Sequence, residues 1–272
     1  MKPIHILTAI LCLAPACAAA QEAGAAASAV IQSQAPQPGP RWSLGIGTAV
    51  STKVYAGEDT RVIPFPLLSY QGERVYWRGI GGGVHLARSG AFTLDATLSA
   101  RMSGIERDDF GQAELAERGL DRALLEDRDD AFDIGLAGTW RGRLGQFELG
   151  VKHDVTGASK GFEANARYGY PFQWGRTRIV PNIGVAHFSD KLANYYYGTL
   201  DAEVARGVVD YKPGSVTVPR VGIDVVHPFA GRWAFIGNVS YNHLPSKITD
   251  SPLVKKDADG AVSAFIGVSR GF

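Results

Sequence analysis

The segment Phe92–Met102 alternates apolar and polar residues without a break. Its even-numbered positions hold Phe, Leu, Ala, Leu, Ala and Met, and its odd-numbered positions hold Thr, Asp, Thr, Ser and Arg. A period of two predicts a β-strand with one apolar and one polar face. A tilted strand of about 9–11 residues can cross a bilayer. The apolar face could therefore point toward the core of a soluble sandwich, or toward lipid in a membrane barrel with a polar lumen.

The start of the chain predicts export. A short basic start at Met1-Lys2-Pro3 precedes an apolar run, and Ala18-Ala19-Ala20 offers the small residues that signal peptidase reads. We interpret residues 1–20 as a cleaved signal peptide. Lipidation at Cys17 is the alternative, although Ala14-Pro15-Ala16 is a poor match to that signal. Both cysteines lie in this segment, so the mature chain offers no disulfide, thiol nucleophile or cysteine metal site.

The composition excludes other classes. Without Lys2 the chain has equal numbers of basic and acidic residues, so no basic surplus points to nucleic acid. After residue 20, no apolar run reaches the ~18 residues of a helical membrane span. Residues 21–40 are rich in Ala, Gln and Pro and predict a flexible periplasmic lead-in. The remaining residues, 41–272, form one predicted domain.

Ten further segments suggest strands. Pro64 and Pro66 weaken the second of them and indicate a sheet edge or a bulge, because proline cannot donate to a ladder. The glycines of 79–83 would let the third strand bend sharply. The predicted strands are 42–50, 62–70, 75–87, 92–102, 132–141, 146–155, 162–172, 177–188, 216–229, 233–244 and 261–272.

The connections from residue 75 onward alternate between short and long. Membrane barrels have this pattern, with short periplasmic turns and long extracellular loops. The sequence thus predicts an all-β, antiparallel transmembrane barrel. Both ends of the barrel should be periplasmic, which requires an even number of strands, whereas eleven are identified. We predict about twelve strands, with ten as the alternative, and place the uncertainty in residues 41–75.

One long loop carries its own pattern. Residues 113–130 mix Leu115, Leu120, Leu124 and Leu125 with many charges. We interpret the segment as a solvated charged loop, and a short helix is the alternative.

Several motifs resemble the MipA/OmpV family of outer-membrane proteins, over the whole mature chain from about Trp42. The C-terminal Phe272 is also similar to the signal that the barrel-assembly machinery reads. The motifs are Tyr55-Ala-Gly57, Ile63-Pro-Phe-Pro66, Tyr195-Tyr-Tyr-Gly198, Tyr211-Lys-Pro213, Ile248-Thr-Asp-Ser-Pro-Leu-Val254 and Ala264-Phe-Ile-Gly-Val-Ser-Arg-Gly-Phe272.

The resemblance implies a non-enzymatic barrel in the outer membrane of a Gram-negative cell, in contact with its lipid and lipopolysaccharide. It implies a scaffold that joins a lytic murein transglycosylase to a murein synthase. Other family members are described as porin-like or adhesive. A small solute channel or an adhesin therefore remains the alternative function. The resemblance supplies no catalytic residues.

Charged residues on the polar strand faces form the predicted lumen lining. The two signs are balanced, which favours mutual pairing over a selective pore, because a charge away from bulk water needs a partner. A solute-conducting lumen is the alternative. The predicted set is Asp95, Arg101, Asp133, Arg141, Glu148, Lys152, Asp154, Glu163, Arg167, Arg178, Arg220 and Asp224.

One short motif allows an enzyme. His187 and Ser189 have the spacing of the His-x-Ser pair in barrel lipid A deacylases, and a serine nucleophile needs such a base. Asp190 stands where that family has Asn, and no orienting glutamate is evident. A strand end entering a loop explains these residues equally well. The sequence predicts no cofactor and no metal site.

Overall fold

The computed structural model describes residues 41–272 except 53 and 59, and the side chain of residue 61 is not described. The predicted signal peptide and lead-in, residues 1–20 and 21–40, lie outside the described residues. The described chain is dominated by β-structure. Its segments are β1 (Trp42–Ser51), β2 (Arg61–Gln71), β3 (Val75–Arg78), β4 (Gly81–Ser89), β5 (Phe92–Arg101), β6 (Ala131–Gly142), β7 (Gly145–Asp154), β8 (Phe162–Gly169), β9 (Phe172–Trp174), β10 (Thr177–Phe188), β11 (Val216–Ala230), β12 (Trp233–His243) and β13 (Gly260–Gly271).

These segments form one closed antiparallel barrel. Each strand pairs with its neighbour in the chain, and β13 pairs with β1, with Ser43 opposite Gly271 and Ser51 opposite Ser263. Both β8 and β9 pair with β10, so they are two parts of one barrel strand. The barrel therefore has twelve strands, as the sequence predicted. No described helix has the length and hydropathy of a membrane-spanning helix.

The strand that sequence analysis missed lies in residues 75–89. β3 and β4 form a tight hairpin, in which Arg78 is opposite Gly81. Gly79 in the turn has φ = 58°, which glycine adopts without a Cβ penalty. The prediction of a single bent strand over 75–87 was wrong, and the missing strand was not within 41–75. A glycine-rich pattern permits a bend and a full reversal equally well, so local sequence could not distinguish them.

The outer surface of the barrel is apolar. Ile46, Ile183 and Val239 are 76%, 61% and 56% exposed, although such side chains belong in a core when a protein is surrounded by water. All the tryptophans of the chain also face outward, near the end of the barrel with the short turns. Such a belt is typical of a membrane interface. These residues are Trp42, Trp77, Trp140, Trp174 and Trp233.

Long connections cover the opposite end of the barrel. We call the described residues within 52–60, 102–130, 189–215 and 244–259 together the lid. The lid contains short helices and packs into two buried apolar clusters, one of which also includes the ends of β10 and β11. The helices are α1 (Gln112–Glu117), α2 (Asp190–Tyr197), α3 (Asp201–Ala205) and α4 (Ser246–Thr249).

The lid corrects the interpretation of residues 113–130 as a solvated loop. Leu115, Leu120 and Leu125 are buried and pack with Tyr55 and Leu253 from other lid segments. The helix alternative was right for Gln112–Glu117. These leucines are buried only because neighbouring loops pack against them. The many charges nearby in the sequence suggested a solvent-exposed segment instead.

Candidate functional site in the barrel lumen

A cavity of about 450 Å³ occupies the lumen beneath the lid. Its side walls are the inward faces of the strands, and its ceiling includes Tyr55, Tyr196 and Tyr197 from the lid. Tyr55 and Tyr197 stack at 6.1 Å between ring centroids, and the Tyr55 hydroxyl donates to the Tyr196 carbonyl at 2.9 Å. Three of the tyrosines that carried the family resemblance therefore line the loop end of the lumen.

Four predicted lumen residues form one ion cluster. The Arg101 guanidinium lies 2.7 Å from the Asp133 carboxylate and 3.0 Å from that of Glu163. The Lys152 ammonium lies 3.2 Å from both carboxylates. These side chains come from β5, β6, β7 and β8, so the cluster crosses four neighbouring strands. Arg101, Asp133 and Glu163 are almost fully buried, which makes their pairing necessary rather than optional.

A second cluster spans a wider part of the lumen. Arg167 on β8 pairs with Glu148 on β7 at 3.4 Å and also contacts Asp224 on β11. Asn238 on β12 donates to the other Asp224 oxygen at 2.6 Å. Asp224 has no exposed surface, so Arg167 and Asn238 replace the water that the carboxylate loses.

Three members of the predicted set have other partners. Asp95 contacts the His85 ring nitrogen at 2.6 Å. Arg141 donates to Gln146 at 3.1 Å. Asp154 joins no ion cluster among the described residues. It accepts backbone N–H groups from residues 156, 157, 159 and 160 and so fixes the loop between β7 and β8.

Two predicted cations lie outside these groups. The Nε of Arg178 is buried and has no hydrogen-bond partner among the described residues. Arg220 on β11 is exposed within the lumen, lines the cavity, and forms no ion pair within the described part of the chain.

Sequence analysis missed an apolar part of the lumen. Leu67 on β2, Ile236 on β12 and Phe265 on β13 form a buried cluster, against which Phe65 and Val226 also pack. These residues occupy the alternate strand positions that face the lumen, as polar residues do elsewhere on the same strands, for example Ser263 on β13. The inward-facing side chains thus include a packed apolar cluster besides the charged groups, which the alternation of apolar and polar residues alone could not reveal.

His187 and Ser189 are not brought together as a catalytic pair. The His187 Nδ1 atom lies 2.9 Å from the Thr217 hydroxyl. The Ser189 hydroxyl is buried, caps α2, and accepts the Phe162 N–H at 3.0 Å and the Leu192 N–H at 3.4 Å. These contacts explain both residues as a strand end and a helix cap. No described group of acidic or histidine side chains has an arrangement that could hold a metal ion.

The closed sheet, the apolar outer surface and the polar lumen define an outer-membrane β-barrel. The chain belongs to the MipA family, because the family model "MltA-interacting protein MipA" matches residues 44–272. This confirms the resemblance inferred from the sequence motifs. The short turns are accordingly periplasmic and the lid is extracellular.

Named relatives agree with this assignment. The MltA-interacting protein of Escherichia coli K12 is 29% identical over 227 residues, covering 83% of this chain and 89% of that protein. The putative outer membrane protein YiaT of the same organism is 28% identical, with coverages of 85% and 90%. The translocator domain of the autotransporter NalP from Neisseria meningitidis has a similar fold, with a TM-score of 0.50, 12% identity, and coverages of 93% and 95%. The outer-membrane location predicted from the sequence is confirmed.

Proposed function

We propose that this barrel is a non-enzymatic scaffold that holds murein-processing enzymes at the periplasmic face of the outer membrane. The observation that carries the proposal is a lumen bridged by ion pairs beneath a packed lid. The lid covers the extracellular mouth with two packed apolar clusters, and ion pairs tie the lumen-facing side chains of neighbouring strands together. A barrel that serves as an anchor needs a stable wall, which these contacts provide.

The family membership supports the choice of partner. The relative from Escherichia coli is named for an interaction with MltA. For this chain we propose a lytic murein transglycosylase as one partner and a murein synthase as the other.

The periplasmic surface limits where a partner can bind. The strands are joined there by turns of two or three residues, such as 143–144, 175–176 and 231–232. Leu144 and Trp174 at these turns are 74% and 75% exposed. We propose that the turns, together with residues 21–40, form the binding surface.

A site-specific photocrosslinker tests this proposal in cells. Placed at Leu144, it should yield an adduct with a murein transglycosylase or synthase. The matched control is Val209, which is 57% exposed but lies in the extracellular lid, and it should yield neither. Deleting residues 21–40 should weaken the Leu144 adduct. If neither enzyme is captured from any periplasmic turn, the scaffold proposal is wrong.

Planar-bilayer recording tests separately whether the lumen conducts. The purified barrel should insert and remain electrically silent, because we infer that the packed lid and the ion clusters prevent ion flow. Sustained conductance by the wild-type protein would instead support the alternative of a small solute channel.

A further inference from the structure

The outward-facing row of residues on β13 ends in a charge. Its alternate lipid-facing positions are apolar from Val262 to Val268, and the next position in the same row is Arg270. Arg270 lies opposite Leu44 on β1 and opposite Trp233 on β12, and both of these neighbours are exposed on the outer surface. Arg270 therefore faces the membrane rather than the lumen.

Two aromatic rings lie against the Arg270 side chain. Its guanidinium carbon is 5.9 Å from the centre of the Trp233 ring and 5.2 Å from the centre of the Phe272 ring. At these distances the face of a ring attracts a cation. Contact with a ring face leaves the N–H donors of the guanidinium available, and Arg270 forms no ion pair with a described side chain. The side chain is thus held in place while its donors remain open to a ligand.

A second arginine lies beside Arg270 on the neighbouring strand. The Gly271 N–H donates to the Arg232 carbonyl at 2.9 Å, so Arg232 and Arg270 are at the same level of the barrel. Arg232 is exposed in the turn between β11 and β12, and it too forms no ion pair among the described side chains. Two neighbouring cations repel each other, and an anion between them removes that repulsion.

The end of the barrel with the short turns is basic as a whole. We call its residues 41–43, 70–76, 88–93, 140–147, 170–178, 229–234 and 268–272 together the periplasmic rim. The rim contains nine arginines, no lysine and one acidic side chain, that of Glu73, which lies 4.0 Å from Arg41. Arginine binds a phosphate through two parallel N–H groups, whereas lysine acts as a point charge. The composition of the rim therefore favours phosphate as the anion.

The tryptophans indicate the depth of this pair of arginines in the membrane. Trp42 and Trp233 lie on the outer surface beside the end of β13. Tryptophan rings sit at the level of the lipid headgroups, so the phosphates of the inner leaflet lie at the height of Arg232 and Arg270. Because Arg270 faces outward at this depth, a lipid reaches it more readily than a soluble periplasmic protein does.

We propose that Arg270 and Arg232 form a binding site for the headgroup of an anionic glycerophospholipid in the inner leaflet of the outer membrane. The two guanidinium groups donate to the phosphate oxygens, and Trp233 and Phe272 pack against the glycerol end of the acyl chains. A zwitterionic headgroup binds less well, because its own cation would lie among the arginines of the rim. The proposal does not rest on the scaffold function, since it concerns a lipid and the outward side of the barrel.

Photolabelling in vesicles tests the site. The barrel is reconstituted in phosphatidylcholine vesicles that contain a trace of phosphatidylglycerol with a diazirine near its glycerol, and labelled residues are mapped by mass spectrometry. This probe should label residues 229–234 and 268–272 about tenfold more than a phosphatidylcholine probe with the same diazirine, as expected for one charge-assisted hydrogen bond. Equal labelling by the two probes would overturn the proposal.

Two matched variants distinguish a local site from general attraction to a basic surface. Arg270→Gln should lower labelling of residues 229–234 and 268–272 by the phosphatidylglycerol probe about tenfold and leave labelling by the phosphatidylcholine probe unchanged. Arg143→Gln removes the same charge from the turn between β6 and β7, on the far side of the barrel, and should change neither.

Two results with these variants would show that the proposal is wrong. Equal losses in Arg270→Gln and Arg143→Gln would mean that the overall charge of the periplasmic rim attracts the lipid. An equal loss of labelling by both probes in Arg270→Gln would mean that Arg270 does not recognise the anionic headgroup. The heat-dependent gel mobility of each variant verifies that it is folded.

Discussion

Arg128 and Glu203 form a fully buried, two-pronged ion pair that joins two separate loops of the lid. The Arg128 Nη1 atom lies 2.8 Å from Glu203 Oε1, and Nη2 lies 3.0 Å from Oε2, with neither side chain exposed. Arg128 also donates to the carbonyls of Tyr195 and Gly198. One guanidinium therefore holds the β5–β6 loop against the β10–β11 loop.

Replacing Arg128 should loosen the lid while the barrel stays folded. Arg128→Met leaves the Glu203 carboxylate buried without a counterion, which costs about 3–5 kcal/mol. Hydrogen exchange should accelerate at Leu115 and Leu192 in the lid but not in the strands.

The control for this variant is Arg206→Met. Arg206 pairs with Glu126 at 2.6 Å, but both side chains are well exposed, and such pairs contribute at most about 1 kcal/mol. Equal exchange rates in the two variants would contradict the stabilising role of the buried pair.

The lid should also open at high pH. Burial raises the pKa of the Tyr55 phenol well above its usual value, and burial likewise raises the pKa of Tyr196. Both phenols stay neutral while the lid is packed, but in the open lid they ionise above about pH 10. Lid stability should therefore be constant below that pH and fall above it, by up to about 1.4 kcal/mol per pH unit for each phenol.

Hydrogen exchange of the lid from pH 8 to 11, corrected for intrinsic rates, measures this dependence. Tyr55→Phe should reduce the slope, although it also loses the hydrogen bond to Tyr196, at a cost of about 1 kcal/mol at neutral pH. If the pH dependence of lid exchange is unchanged in this variant, groups other than Tyr55 cause the loss of lid stability at high pH.

Two glycines of β6 should respond differently to the same substitution. A Cβ at Gly135 would lie 2.2 Å from the Val151 carbonyl oxygen and 2.9 Å from the Lys152 Cα, whereas at Gly138 the nearest atom, on Phe92, is 3.5 Å away. Gly135→Ala should thus destabilise the barrel by about 1–3 kcal/mol. Gly138→Ala should be neutral or slightly stabilising. Urea unfolding in detergent micelles measures both, and a reversed order would contradict the strand register.

The lumen cluster should depend on Arg101 more than on Lys152. Arg101→Met leaves two buried carboxylates with a single ammonium, so we expect a loss of about 3–5 kcal/mol. Lys152 is 24% exposed, and without it Arg101 still contacts both acids. Lys152→Met should consequently cost less, about 1–2 kcal/mol. Thermal unfolding, followed by circular dichroism, compares the stability of the two variants. Equal losses of stability would mean that Arg101 and Lys152 stabilise the two carboxylates equally.

The local sequence predicted most of the wall of the barrel. In Phe92–Met102, alternate residues face the lipid and the lumen. This alternation identifies a strand without knowledge of the neighbouring strands. Pro64 and Pro66 predicted a sheet edge or a bulge, because a missing N–H is a property of the residue itself, and β2 pairs with β3 only over Ser69–Gln71. The hairpin at Gly79 was not, since glycine permits several backbone paths.

The chain by itself therefore determined the class of protein, the strand directions and the outward faces, which all follow from short-range periodicity and turn length. Tertiary structure alone decided which charges meet and how the lid packs. Arg101 and Glu163 are 62 residues apart, and Arg128 and Glu203 are 75 apart. Such pairs form only after the barrel closes and its register brings distant strands and loops together, so no local pattern encodes them.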